Sequence, residues 1–70
     1  MIPLSFAKVG ESNIIKKISG TDEVRRHLEN LGFVVGSDVS IINSLAGNVI
    51  VRVKDSRIAI NEDMARRIMI

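Results

Sequence analysis

Residues 49–60 read Val-Ile-Val-Arg-Val-Lys-Asp-Ser-Arg-Ile-Ala-Ile. Val49, Val51 and Val53 alternate with Ile50, Arg52 and Lys54, a period of two that sends one set to a buried face and the other toward solvent. Lys54, Asp55 and Ser56 make a tight polar turn, and Ile58 and Ile60 resume the alternation, so the stretch reads as an antiparallel hairpin. Working upstream, Val39 and Ile41 flank Ser40 beyond Gly36, and Leu45 to Asn48 reads as a turn in which Gly47 takes a positive φ. These consecutive strands form a meander.

Further upstream the period lengthens. Thr21 has the hydroxyl of a helix N-cap, Asp22 and Glu23 suit the positive end of the helix dipole, and Val24, Leu28 and Leu31 form one apolar stripe. Gly32 supplies the left-handed position that ends such a helix. Arg25, Arg26, Glu29 and Asn30 fall on the outer faces, with Asp22 and Arg26 spaced to pair. Before this helix, Asn13 to Ile18 reads as one strand with β-branched residues on both faces, closed by Gly20. The opening, Ile2 to Gly10, is expected to run extended from Pro3 across the sheet.

Downstream, Asn61 is placed to cap a short final helix, with Glu62 and Asp63 in its first turn, Arg66 and Arg67 in its last, and Met64 and Ile68 facing inward. Met69 and Ile70 are expected to pair with an early strand and close the sheet. Short strands with one interposed helix do not build a parallel α/β sheet, which needs repeated crossovers. The sequence therefore predicts a mainly β domain over residues 1–70: a small SH3-like β-barrel with one interposed α-helix and a short C-terminal helix. An OB-like barrel uses the same inventory and stays open as an alternative.

The 70 residues leave room for one core, since domains of this size bury only about 60% of the surface their unfolded chain exposes. No cysteine is present, which removes disulfides and thiolate zinc sites and points to an intracellular address. No stretch approaches the ~20 apolar residues of a membrane span, so no direct membrane insertion is expected. Ten basic and eight acidic side chains are interspersed, for a net charge of +2, a mixed surface that does not favour nucleic acid. With two Phe and neither Trp nor Tyr, the aromatic platforms of single-strand binding and of proline-rich peptide recognition are missing.

Catalytic groups are sparse. The one histidine, His27, sits on the helix without a Gly-flanked serine elbow elsewhere. The five glycines are dispersed singly, as turn and cap residues are, and do not cluster into a phosphate loop. No catalytic residue is assigned, and no cofactor is required. Glu23 and His27, at i, i+4, share a helix face and offer oxygen and imidazole to a divalent transition ion such as iron or zinc. Two ligands hold a metal weakly, and the plainer reading gives Glu23 to the helix dipole and His27 to the border of the apolar stripe. Met64 and Met69 read as core filling before they read as soft ligands. Arg25 and Arg26 can join Arg66 and Arg67 in a basic patch if the helices lie close, although such pairs more often make a solvated face.

The segment Arg25–Val39, RRHLENLGFVVGSDV, resembles the signature of the FeoA family, in which a helix ends in Leu-Gly and a hydrophobic bend leads through Gly to an alternating strand. Pro3-Leu4 with Gly10-Glu11 resembles that family's start, and Ile58-Ala59-Ile60 with Ala65, Ile68 and Ile70 resembles its end. Asn13, where glycine is frequent, and Val35, where proline often precedes the second glycine, depart from the pattern. The resemblance implies an SH3-like fold and a cytoplasmic, non-enzymatic accessory of ferrous iron uptake. Its implied partner is FeoB, a membrane transporter with a cytosolic GTP-binding domain. A related domain ends DtxR-type metal-dependent repressors, which makes a metal-sensing role the alternative. On this basis Arg25, Arg26 and Glu29, with Leu28 beneath them to make contact or to hold the contact surface, are the expected partner-binding residues. Thr21, Gly32, Gly36 and Asn61 are the structural turns and caps read from residue chemistry, and the chain is expected to be a monomer or weak homodimer.

Overall fold

The computed structural model describes residues 1–70. A 3-10 turn, Leu4–Phe6, precedes β1 (Ser12–Ile14), β2 (Lys17–Ile18), α1 (Asp22–Asn30), β3 (Asp38–Leu45), β4 (Asn48–Val53), β5 (Ser56–Asn61), α2 (Glu62–Ala65) and β6 (Ile68–Met69). The four-stranded sheet has order β1-β3-β4-β5, all antiparallel, and a separate two-stranded sheet pairs β2 with β6. The expected single closed barrel is thus corrected to two sheets that share one core.

The reason lies in the run expected as one strand. Ile14 pairs with Asp38, and Lys17 pairs with Met69. Between them, the Ile15 N–H donates to the Ser37 carbonyl at 2.9 Å and its carbonyl accepts from Gly36 N–H at 2.8 Å. The fully buried Ile15 side chain pins this crossover from one sheet to the other, so the chain turns where a uniform ladder would have continued. The terminal residues behave as the apolar ending implied: Ile2 and Ile70 exchange both backbone hydrogen bonds, at 2.9 and 2.8 Å.

The meander holds the core. Val39, Ile41, Val49, Val51, Val53 and Ile60 point inward with Leu4, Ile15, Ile18, Leu28, Phe33, Ala65, Ile68 and Ile70. β3 runs further than its alternation suggested because an irregularity in register between Ile41 and Asn43 inserts Ile42. This resets the phase, so that Ser44 faces Val49 and the strand stays paired after its apolar pattern ends. The β3–β4 hairpin closes on Ala46 and Gly47, both at positive φ, 51° and 81°, the sense of turn that matches the strand twist.

α1 begins at Thr21, whose Oγ1 accepts from Val24 N–H at 3.3 Å. It ends in a Schellman motif: Phe33 N–H donates to the Leu28 carbonyl at 3.0 Å and Gly32 N–H to the Glu29 carbonyl at 2.9 Å. Gly32 takes φ 109° there, which a side chain would strain. The motif's hydrophobic pair, Leu28 and Phe33, is fully buried, and it ties the helix end into the core. Val24 and Leu31 pack against the same cluster from half-buried positions. At the far end Asn61 Oδ1 accepts from Met64 N–H at 2.7 Å and caps α2. That helix is shorter than expected, ending at Ala65, with Arg66 already its C-cap. Ala65 is its one fully buried residue and Met64 is only partly buried, while Ile68, expected on its inward face, is buried from β6 instead.

Candidate functional site

α1 presents two exposed faces because Leu28 is its one buried residue. On the first, Asp22, Arg25, Arg26 and Glu29 line a shallow polar depression of about 260 Å³. Arg25 pairs with Asp22 one turn back, in place of the expected Asp22–Arg26 pair, and Arg26 makes no salt bridge. Exposed pairs of this kind contribute about 0.2–1 kcal/mol each, so the face can exchange them for a partner's groups at little cost. Leu28, expected beneath them either to contact a partner or to hold the contact surface, is fully buried, the placement of a residue that holds that surface.

On the second face, Glu23, Val24 and His27 meet Asp63, Met64 and Arg67 across a groove of about 270 Å³. The segments are brought together by Ser19, whose N–H and Oγ both donate to the Arg67 carbonyl, at 2.7 and 3.1 Å. The Arg67 side chain lies over Gly20, where an added Cβ would stand 3.2 Å from its Cδ. Sequence reasoning missed Asp63, Met64 and Arg67 as neighbours of His27, and no spacing motif links positions so far apart.

Glu23 and His27 therefore line one groove, with Asp63 across it, but no three His, Cys, Asp or Glu side chains are placed to hold a metal ion together. The pair needs a further ligand from outside to hold an ion firmly. The basic patch considered for the four arginines does not assemble on α1. Arg66 lies 3.8 Å from Glu62 and Arg67 3.9 Å from Asp63, while Arg25 and Arg26 line the other depression.

The largest cleft, about 540 Å³, lies on the solvent side of the four-stranded sheet and includes Ser12, Ser40, Arg52 and Lys54. A cross-strand row runs through it from Ser12 to Ser40 to Arg52 and on to Arg57 beyond its edge, placing two like charges opposite each other. Gly36, at φ 93°, borders it in the turn where Ser37 N–H donates to the Val34 carbonyl. No helix in the chain is long and apolar enough to cross a membrane.

The FeoA domain family model matches residues 2–70. A candidate Fe(2+) transport protein A of Methanocaldococcus jannaschii is 40% identical over 70 residues, covering 100% of this chain and 85% of that one. Among solved structures, an iron uptake regulatory protein, FeoA, has a TM-score of 0.89 at 29% identity, covering 97% of this chain and 92% of the other. An FeoA of Stenotrophomonas maltophilia, an SH3-domain protein crystallised with zinc, has a TM-score of 0.85 at 24% identity, covering 99% and 88%. A manganese-dependent transcriptional repressor shares the fold, with a TM-score of 0.83 at 17% identity over 94% of this chain and 38% of its own. The SH3-like, mainly β architecture read from the sequence is the one these neighbours carry. From the strand pattern, the Leu-Gly helix end and a family match spanning residues 2–70, the chain belongs to the FeoA domain family.

Proposed function

We propose that residues 1–70 act as a single cytoplasmic, non-enzymatic docking domain of ferrous iron uptake, binding the cytosolic portion of the membrane transporter FeoB and modulating its transport or its GTPase. FeoA membership over residues 2–70 carries this reading. The exposed charges of Asp22, Arg25, Arg26 and Glu29 support it, with only Asp22 and Arg25 paired and the helix held from below by Leu28. Docking that favours one of two transporter states would shift their populations by its difference in affinity for them. The test is co-purification with FeoB-containing membranes. The double charge reversal Arg25→Glu/Arg26→Glu is expected to lower recovery about tenfold or more, and undiminished recovery would remove this surface from the account.

A second reading is a weak transition-metal site for iron or zinc, using Glu23 and His27 with a ligand from a homodimer mate or partner. It is favoured by their shared groove and by the zinc in the Stenotrophomonas maltophilia FeoA crystal. Anaerobic ferrous titration followed by NMR decides it: shifts centred on residues 23–27 support the site, and an unchanged His27 spectrum rejects it.

A further inference from the structure

Separately from docking on a transporter, the N-terminal end of the chain carries a surface of different chemistry. Residues 1–20 contain three of the four lysines, Lys8, Lys16 and Lys17, against one acid, Glu11, whereas residues 21–70 hold seven basic and seven acidic side chains. The whole net charge of +2 thus belongs to the first 20 residues. The same stretch holds most of the large apolar side chains left in solvent: Met1 is 70% exposed, Phe6 72% and Val9 63%, with Ile2 also exposed. Of the two phenylalanines, Phe33 is fully buried, while the 3-10 turn points Leu4 inward and leaves Phe6 outside.

The fold brings the Ile2–Pro3 segment, the Phe6 turn, Lys16 and Lys17 together. Pro3 bridges Met69, Met69 pairs with Lys17, and the Lys16 N–H donates to the Met69 carbonyl at 2.8 Å. Lys16 and Lys17 therefore stand two strand spacings, about 10 Å, from the Ile2–Pro3 segment. The Phe6 turn is fixed to that segment by Phe6 N–H donating to the Pro3 carbonyl at 3.0 Å. The nearby α2 segment does not cancel the lysines, because Glu62 and Asp63 are matched in number by Arg66 and Arg67, 3.8 and 3.9 Å away, and together add no net charge.

We infer that this face rests on anionic lipid bilayer surfaces, with Phe6, Ile2 and Met1 entering the headgroup boundary and Lys16 and Lys17 meeting lipid phosphates. Charge complementarity selects the occupant: basic side chains near an anionic leaflet are each worth about fivefold in binding. Long lysine stems also allow the ammonium groups to stay at the headgroups while apolar neighbours go deeper. Shape agrees, since none of the three principal clefts is lined by a residue before Gly10. A peptide anchor would need such a pocket, and a bilayer does not. No spanning segment is involved.

The experiment is sedimentation of the purified chain with vesicles of phosphatidylcholine and phosphatidylglycerol, compared with phosphatidylcholine alone. Binding is expected only to the anionic vesicles and is expected to fall with added salt. Lys16→Gln/Lys17→Gln should weaken it about 25-fold and Phe6→Ser about tenfold, while Lys54→Gln leaves it unchanged. Since the chain has no tryptophan, F6W gives a single emission that should shift to the blue on anionic vesicles. Absence of sedimentation, an unweakened lysine variant, or an F6W emission that stays solvent-like would each overturn the inference, including the case in which the face binds a protein instead.

Discussion

Leu28→Ala truncates the one fully buried side chain of α1 at Cβ. An isolated helix of nine residues is marginal in water, so its docking depends on this side chain, with help from half-buried Val24 and Leu31. Buried Leu→Ala changes cost about 2–5 kcal/mol. At about 0.05–0.15 kcal/mol per residue, a chain of 70 residues has roughly 3.5–10 kcal/mol in total. The variant should therefore lose about half its stability, with Tm falling about 10 °C or more. Urea unfolding followed by circular dichroism measures the loss. Leu28→Met, which nearly conserves volume, should cost under about 1.5 kcal/mol. A native-like Leu28→Ala chain losing less than about 1 kcal/mol would refute the claim that Leu28 anchors the helix beneath the candidate docking surface.

Other substitutions probe the scaffold. Ala46→Asn should stabilise by about 1 kcal/mol, because Ala46 sits at φ 51° in a turn whose first position favours Asn, and thermal unfolding would show Tm rising. Asn61→Ala removes the 2.7 Å cap on Met64 N–H and should cost about 1 kcal/mol, read from the urea midpoint. Arg57→Glu places a carboxylate opposite Arg52 and should gain up to about 1 kcal/mol at low salt, a gain that shrinks when unfolding is repeated at high ionic strength.

Local signals carried much of the fold. The Val49–Val53 alternation, the Thr21 cap and Gly32 each encode their structure within a few residues, and the structure places a strand, a helix start and a Schellman end there. What escaped was set by distant partners. Ile14 and Ile15 look alike in sequence, yet Ile14 is exposed in β1 and Ile15 is buried at the crossover, because Gly36 and Ser37 claim its peptide groups. Phe33 was not singled out as core, although an apolar residue directly after a helix-ending glycine is the local signal for it. The His27–Arg67 groove depends on a hydrogen bond between Ser19 and Arg67, 48 positions apart, and no periodicity reports that. The charge pair of α1 escaped for another reason: Asp22 reaches Arg25 and Arg26 alike, and side-chain geometry alone selects between them.

The measurement that bears most directly on the docking claim is NMR titration of the isotopically labelled chain with the cytosolic portion of FeoB. Amide shifts are expected to concentrate at Asp22, Arg25, Arg26 and Glu29, with the buried meander unchanged. A spectrum that stays the same at every residue through a stoichiometric excess would contradict the docking claim.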